Sequence, residues 1–445
     1  MKKEILIITC CIFLFNTIGT IAQTLQTDLI KVMTYNVGSY GKAPTIQCPL
    51  LNLNYKNAYL RTILEFEQPD IIGMEKMQTV PSVDTASLIT SVLDSVCNGC
   101  WGHSVYSNAG GDSKASMLYF NTNRFGFVST TPVVNNDANM DDVMLTRLYY
   151  KNDNLTSTHD TIFLNILLVH LLSGNSNAST RTSEATAIIN WLNVHITTPE
   201  NIIIMGDFNT QSSSEGCFTT FINSSNNNTL FYDPPNQLGS WSSFSSQFAN
   251  YLTHTTRLVD PGDCNSTGPM ADRFDHILVT GPIMNGTDSV KYIPGSFTVV
   301  GNDGQHTGTD ILAPPVNTSV PANVDSALYY MSEHLPVFVK LGFTYTVYAG
   351  IENISNPMIK IDYTTIVTDK INIQPVTNLL LSNKYNDCKL LIYDMEGRIV
   401  SENSININQF NSIDVSAVSS GMYIICLMKD NVKLFSGKLF KIKEN

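Results

Sequence analysis

The sequence has few charged residues and an excess of acidic ones. Lys and Arg number 26 against 38 Asp and Glu in 445 residues, which gives a formal net charge of -12. A chain without a basic stripe lacks the side chains that neutralise phosphates in tight nonspecific nucleic-acid binding. The composition therefore excludes that binding mode, but not an enzyme that meets a polyanion through bound divalent cations.

Long apolar runs are confined to the first residues of the chain. Residues 1–22 begin with Met1-Lys2-Lys3, continue with ILIITCCIFLF and end in a small-residue stretch near Ala22. This is the pattern of a secretory signal peptide. A membrane anchor is the alternative, but the run is shorter than the ~20 apolar residues of a spanning helix. We therefore expect an exported chain.

Cysteine is scarce, and some reactive patterns are missing. Two of the nine cysteines lie in the predicted signal peptide, so an odd number, seven, remains for an oxidising compartment. Clusters of His and Cys that favour zinc are absent. The stretch GDSKAS lacks the pattern of a nucleophile elbow. Cys97 and Cys100 are better placed to form a disulfide than to attack a substrate.

The order of predicted elements indicates an α/β domain followed by a small β domain. Before residue 345, strand-like runs such as LIKVMTYNV and NIIIMGD alternate with helical patterns such as YLRTILEFE. Several β-rich runs have no helix between them, which predicts a mixed sheet or a pair of sheets. Beyond VYAGIENISNPM the pattern is all-β, with hairpins predicted around Glu396-Gly397 and Asp430-Asn431.

Polar side chains follow several of the predicted strands. The run NIIIMGDFN ends in Asp207 and Asn209, which by themselves also fit an ordinary turn. The same pattern recurs with Asn36 in MTYNVGS, Glu75 in IIGMEKM and His170 in LLVHLLSG. Two further strands have polar residues at their start, with Asp275 in RFDHILV and Glu333-His334 in SEHLPV. Because functional groups of α/β proteins gather beyond strand ends, we expect a single polar site.

These residue types suit the hydrolysis of a phosphate ester. Oxygen ligands from Asp, Glu and Asn fit hard divalent cations, so we expect Mg²⁺ in the first place and Ca²⁺ or Mn²⁺ as alternatives. Such an ion stabilises charge on the phosphorus oxygens and orients a water. One imidazole held by a carboxylate can take the proton of that water, and a second can protonate the leaving oxygen.

Taken in order, the motifs MTYNVGS, IIGMEKM, LLVHLLSG, GDFN, RFDHILV and SEHLPV resemble the endonuclease/exonuclease/phosphatase superfamily. The resemblance covers about residues 29–342, and GDFN followed by SEH is its most specific pair. It implies a four-layer αββα sandwich with the site at one end of two packed sheets.

The resemblance also implies roles for single residues. The metal ligands it implies are Asn36, Glu75, Asp207, Asn209 and Glu333. Asp207 and Asn209 would also orient the phosphate and the water. His334, backed by Asp275, resembles the general base of the family, and His170 resembles its second catalytic histidine.

Two positions need comment against the family pattern. The family has Ser-Asp-His where this chain has Ser332-Glu333-His334, and the longer carboxylate could shift a ligand. Arg147 in VMLTRLYY lies where the pancreatic-type deoxyribonucleases have a phosphate-contacting arginine, and an exposed strand arginine is the alternative.

A disulfide between Cys217 and Cys264 is also expected. Cys217 closely follows GDFN and Cys264 closely precedes RFDHILV, and the pancreatic-type relatives have a bridge in a similar position. The alternatives are buried thiols or pairing with Cys48, Cys97 or Cys100.

The tail has a resemblance of its own. IYDMEGRIV, the spacing to SAVSSGMYII and the final KLFKI are similar to type IX secretion sorting domains (type A) of Bacteroidota, which direct export across the outer membrane. A carbohydrate-binding or structural β-sandwich is the alternative. The expected division is a signal peptide at 1–22, a catalytic domain at 23–345, a linker at 346–368 and a sorting β-sandwich at 369–445.

The sequence thus predicts a metal-dependent phosphodiesterase that is secreted by, or held at the surface of, a Gram-negative bacterium. We expect a monomeric nuclease that acts on extracellular nucleic acid and is exported by the type IX machinery. A sphingomyelinase-like or phosphoinositide-phosphatase-like enzyme acting on a phospholipid headgroup is the enzymatic alternative. A surface binding protein that has lost catalysis is the other alternative, and Glu333 is its one support in the sequence.

Overall fold

The computed structural model describes residues 22–78, 90–105, 114–134, 143–152, 155, 160–242, 244, 246–349, 363–374, 387–429 and 432–443. The predicted signal peptide, part of the predicted linker and the predicted turn at Asp430-Asn431 lie outside the described residues. The contacts divide the chain into two compact units, with Leu25–Thr346 in one and Val347–Asn445 in the other.

The described residues of the first unit form two sheets, α-helices and the short 3-10 helices Pro49–Leu51, Asn175–Asn177 and Ser246–Tyr251. Its strands are β1 Ala22–Asn36, β2 Ile71–Gln78, β3 Trp101–His103, β4 Lys114–Asn121, β5 Phe125–Val134, β6 Val143–Tyr150, β7 Phe163–His170, β8 Ile202–Asp207, β9 Phe231–Tyr232, β10 Asp275–Thr280, β11 Val290–Tyr292, β12 Thr298–Val299 and β13 Val337–Ala349. Its helices are α1 Leu53–Glu67, α2 Ala178–His195, α3 Gly216–Ile222, α4 Gly281–Asn285 and α5 Ala322–Met331.

The strands form a seven-stranded and a six-stranded mixed sheet. The first has the order β11-β13-β1-β2-β4-β3, with β12 also paired to β13, and the second has the order β5-β6-β7-β8-β10-β9. Gly73 of β2 marks the packing of the sheets, because an added Cβ would lie 2.4 Å from Leu168 of β7 and 2.9 Å from Met205 of β8. Parallel pairs at the centre of each sheet, β1 with β2 and β7 with β8, bring carboxyl ends of strands together.

Helices cover the sheets because each presents an apolar stripe. In α1 the buried residues include Leu60, Ile63 and Leu64, at the spacing of one helix face. They belong to one apolar cluster with strand residues such as Met33 and Ile204. Two packed sheets with helices against them are the predicted αββα sandwich, which confirms this part of the fold prediction.

The second unit is all-β in its described residues. Its strands are β14 Ile366–Val367, β15 Lys370–Ile373, β16 Cys388–Tyr393, β17 Ile399–Ile405, β18 Asn411–Asp414, β19 Gly421–Lys429 and β20 Val432–Lys441. They form a five-stranded sheet, β14-β20-β19-β16-β17, and a two-stranded sheet, β15-β18. Ile371, Leu390 and Ile425 are buried in their shared core, so the predicted small β-rich domain is confirmed.

The predicted disulfide between Cys217 and Cys264 is wrong. Cys264 bonds to Cys48, with Cα atoms 5.5 Å apart, because the loop that carries Cys264 lies against residues 48–50: Leu50 donates a backbone hydrogen bond to Gly262 at 2.8 Å. Cys217 lies in the first turn of α3 with no exposed surface, and its thiol is free. Burial raises the pKa of that thiol to about 12. Cys97 and Cys100 form the second described bridge, as expected.

Among the described residues, the structure has no helix of the length and apolar character that crossing a membrane requires.

Candidate active site

The register of the strands brings five of the predicted site residues to one end of the sheets. Parallel pairing sets Asn36 opposite Glu75 on β1 and β2, and His170 opposite Asp207 on β7 and β8. Antiparallel pairing of β10 with β8 sets Asp275 opposite Asp207. The carboxyl-terminal parts of β1, β2, β7 and β8 and the start of β10 therefore lie at one end of the sheets, where their polar residues converge.

Asp207 is the centre of this group. Its Oδ2 accepts a hydrogen bond from Asn36 Nδ2 at 2.9 Å and lies 3.6 Å from His334 Nε2 and 3.8 Å from His170 Nε2. Its Oδ1 accepts the backbone N–H of Asn209 at 2.9 Å. Both predicted histidines therefore flank one carboxylate, His170 from the end of β7 and His334 from the segment between α5 and β13.

Two residues of the motif GDFN, Gly206 and Asn209, are needed for the local backbone conformation. A Cβ on Gly206 would lie 1.9 Å from the carbonyl oxygen of Val169, so only glycine allows β7 and β8 to approach this closely. Asn209 has φ of 51°, a left-handed conformation that asparagine tolerates better than most residues. Its amide donates to the carbonyl of Leu171 at 2.9 Å, which fixes the turn that presents Asp207.

His334 is held by Asp275. The imidazole Nδ1 lies 2.8 Å from Asp275 Oδ2, and the ring is 4% exposed. Burial opposes a charge on the imidazole, but the carboxylates of Asp275 and Asp207 outweigh it and raise the pKa of His334 to about 9. Burial raises the pKa of Asp275 in turn, against the opposing effect of His334.

Glu75 is fully buried and incompletely satisfied. Thr34 Oγ1 donates to its Oε1, whereas Oε2 has no hydrogen-bond partner among the described residues. Burial, with the charges of Asp275 and Asp207 adding to it, raises the pKa of Glu75 well above its ordinary value. Asp275 Oδ1 is also buried without a partner in the described part of the chain.

These features fit a divalent cation. Asp207, Asp275 and His334 each offer a ligand atom, and the three atoms lie within 4.8 Å of one another. Carboxylate oxygens that are buried, unpaired and close to like charges are stabilised by a nearby cation. Oxygen-rich ligand sets of this kind suit hard metals.

Glu333 has a different environment from the one predicted for a metal ligand. Its Oε1 lies 2.5 Å from Lys76 Nζ, and its Oε2 lies 3.7 Å from Arg257 Nη2. Burial opposes the charge of Glu333, but Lys76 and the other nearby cations lower its pKa well below the ordinary range. The carboxylate is therefore already neutralised by side chains of the chain itself.

Arg147 does not lie with the other predicted residues. It pairs with Asn165 near the start of β7, five residues from His170, and strands rise about 3.3 Å per residue. Its guanidinium is 2.9 Å from Glu200 and stacks on Phe163 at 4.3 Å. The predicted phosphate contact is therefore not supported, because the register of β6 puts Arg147 at the opposite end of the sheet.

Four residues of the site were not predicted from the sequence. They are Thr34, Lys76, His254 and Arg257. Thr34 precedes Asn36 by two residues on β1, and the period of a strand places both on one face, so this signal was present. His254 packs its ring 4.7 Å from that of His334, in a Ser- and Asn-rich region that gave no signal.

The comparisons with known proteins identify the family of the chain. Residues 33–297 match the Endonuclease/Exonuclease/phosphatase family. The chain belongs to that family and is a hydrolase of phosphate esters. Enzymes of the family depend on divalent metal ions, as the buried carboxylates here suggest.

The tail matches a second family. Residues 367–441 match the secretion system C-terminal sorting domain, here of the type IX system. Such a domain implies interaction with the type IX machinery and indicates secretion or attachment to the cell surface in Bacteroidota. No curated protein matches the chain.

Several solved structures are similar at low identity. A family member from Bacteroides thetaiotaomicron is 13% identical, with 72% of this chain and 99% of that chain covered and a TM-score of 0.44. TDP2 from D. rerio, complexed with single strand DNA product, is 12% identical, with coverages of 70% and 98% and a TM-score of 0.45. A mannosyl-6-phosphatase from Bacteroides thetaiotaomicron is 12% identical, with coverages of 70% and 99% and a TM-score of 0.42.

Proposed function

We propose that the protein is an extracellular nuclease, a metal-dependent phosphodiesterase whose catalytic part is residues 23–345. The observation that carries the proposal is the pair of imidazoles around Asp207, at 3.6 and 3.8 Å, one of which is held by Asp275. Hydrolysis of a phosphodiester needs a base for the attacking water and a donor for the leaving oxygen, and two histidines supply both.

In this proposal His334 is the base, and its Nε2 can accept a proton at neutral pH because the charge of a cation bound beside Asp207 and Asp275 would oppose the imidazolium. Its Nδ1 donates to Asp275, so Nε2 is the nitrogen that takes the proton of the water. Asp275 holds the ring in that tautomer and stabilises the imidazolium that forms. His170, on the other strand beside Asp207, hydrogen-bonds the phosphate or protonates the leaving oxygen.

The remaining predicted residues would hold the cation and orient the water and the phosphate. Asn36 and Glu75 would hold the cation, which supplies positive charge to the phosphate oxygens when bound. Asp207 would orient the water and the phosphate, and Asn209 fixes Asp207 through its backbone N–H. We propose Mg²⁺ as the ion because the available ligands are oxygens.

Nucleic acid is the proposed substrate because the family includes endonucleases and exonucleases. A lapsed enzyme that only binds is not favoured, since its one support was Glu333 and that carboxylate is fully paired with cations. We propose a monomer that is exported through the sorting domain at residues 369–445.

An activity panel tests the proposal. Purified protein is assayed on plasmid DNA, RNA, sphingomyelin and a phosphoinositide, with Mg²⁺ or with a chelator. We expect cleavage of DNA or RNA that requires the metal and is lost in Glu75→Gln and His334→Gln. Cleavage confined to a lipid would move the substrate to the phospholipid class, and binding without turnover in any arm would contradict an enzyme.

A further inference from the structure

Lys76 lies at an irregular position of β2. Its φ is 58°, in the left-handed region that lysine rarely adopts, and the pairing of β2 with β4 slips between Met74 and Met77. In a regular strand the side chains of Glu75 and Lys76 would point to opposite faces. A bulge changes the direction in which a side chain points. Here two successive residues face the site: Glu75 lies among the carboxylates, and Lys76 contacts Glu333.

The carboxylate of Glu333 is fully occupied by side chains of this chain. Lys76 Nζ lies 2.5 Å from Oε1, and Ser332 Oγ donates to Oε2 at 3.3 Å. Arg257 Nη2 lies 3.7 Å from Oε2. Only 1% of the Glu333 side chain is exposed. A divalent ion could bind this carboxylate only by displacing one of the two cationic groups.

Arg257 is held by other contacts and cannot move away from Glu333 to admit a metal ion. Its guanidinium makes hydrogen bonds of 2.9 and 2.8 Å to the two oxygens of Asp263. Asp263 in turn accepts from Lys56 Nζ at 2.8 Å, and neither cation has exposed side-chain surface. Lys76 differs from them, because 18% of its side chain is exposed at the edge of the site.

The oxygens of the other carboxylates contrast with those of Glu333. Glu75 Oε2 and Asp275 Oδ1 are buried with no hydrogen-bond partner among the described residues. One part of the site thus has buried carboxylate oxygens without a partner in the described residues, whereas the carboxylate in the other part is paired with an ammonium and a guanidinium.

We propose that Lys76 Nζ takes the place of a cation at Glu333, so that the centre holds a single divalent ion, on the side of Glu75, Asp207 and Asp275. The inference rests on the proposed metal-dependent function and adds to it the number of ions and the residue that limits it. Lys76 is a positioning residue, because it acts through Glu333. Removing its ammonium frees a carboxylate oxygen and creates a second site for an ion.

Counting bound Mn²⁺ tests this inference without any substrate. Electron paramagnetic resonance measures free Mn²⁺ during a titration of the full chain, and calorimetry gives the affinities. We expect one ion in the wild type, two in Lys76→Met, and one again in Lys76→Met/Glu333→Gln. Lys76→Arg keeps a cation in place and should bind one ion. Lys76→Gln serves as the neutral variant if the Met variant does not fold.

Lys291, which is exposed on β11, provides a matched control for the loss of one positive charge. Lys291→Met should bind one ion with wild-type affinity. A wild-type chain with two ions, one of which is lost in Glu333→Gln, overturns the inference, as does a folded Lys76→Met that binds one ion. A wild-type chain that binds no Mn²⁺ refutes the metal-dependent function itself.

Discussion

Replacing Asp275 by Asn tests the electrostatics on which the proposed base depends. The carboxylate lies 2.8 Å from His334 Nδ1, and both side chains are buried. Burial opposes the imidazolium, but Asp275, followed by Asp207, raises the pKa of His334 from 6.5 to about 9. A rise of about 2.5 pH units, at about 1.4 kcal/mol each, corresponds to roughly 3–4 kcal/mol in favour of the protonated ring.

The sign of the effect on stability follows from the raised pKa. The stabilisation is fully present below about pH 6.5 and is lost as the pH rises through about 9. In Asp275→Asn the pKa of His334 should fall by about 2 pH units or more, and this alkaline loss of stability should disappear. Turnover at neutral pH should fall by about 10²- to 10⁴-fold, because the ring loses the partner that fixes its tautomer.

Nuclear magnetic resonance of the metal-free chain measures the pKa directly. The imidazole C–H resonances are followed against pH, and His334→Gln identifies the relevant one. Asp272→Asn is the control, since that carboxylate belongs to the same segment but pairs with His254 at 3.8 Å. If the pKa of His334 in Asp275→Asn stays within about 0.5 pH unit of the wild-type value, the reasoning is refuted.

Three further changes have expected results. Glu75→Gln should stabilise the metal-free chain by about 1–2 kcal/mol, because it removes a buried and partly unpaired carboxylate. The same variant should lose the rise in melting temperature that Mg²⁺ gives. An unchanged response to Mg²⁺ would exclude Glu75 as a ligand. Cys48→Ser should lower the free energy of unfolding by roughly 2–5 kcal/mol, since the Cys48–Cys264 bridge closes a separation of 216 residues. Separate Cys48 and Cys264 peptides in non-reducing peptide mapping would contradict the bridge. Burial opposes the charge of His306, but Asp303 and two carbonyl groups raise its pKa, so its contribution to stability is present at low pH and lost as the pH rises through the raised value. His306→Gln should flatten the fall of the urea midpoint above the ordinary histidine pKa of about 6.5, and an unaltered slope would contradict this.

The convergence of the site was predictable because it follows from strand geometry. Apolar runs that end in a polar residue identified Asn36, Glu75, His170 and Asp207 without knowledge of the sheet order. Pairing then aligned these ends, since a strand buried on both faces can present functional groups only where it leaves the core. The catalytic roles of these residues remain predictions.

Other features depend on information that a periodic pattern does not contain. The sequence near Lys76 continues an ordinary strand, and only the pairing of β2 with β4 shows the bulge that turns this side chain toward Glu333. The position of Arg147 near the other end of its sheet was not evident, because the sequence of a strand does not show at which end of the sheet a residue lies. The partner of Cys264 depended on which distant loop lies against it, and a shared cleft was not a sufficient criterion.

The charges around the site explain why the substitution of Glu for Asp before His334 need not impair a metal centre. Glu333 and Asp263 are two anions shared among three cations, Lys56, Arg257 and Lys76. Within the described part of the metal-free chain, the imidazolium of His334 is the cationic group that lies beside the carboxylates of Glu75, Asp207 and Asp275. In formal charge the first group is +1 and the second is -2, although they are adjacent in the fold. A divalent ion is therefore attracted to the second group and repelled by the first, so the longer carboxylate and its lysine direct the ion to one side of the site.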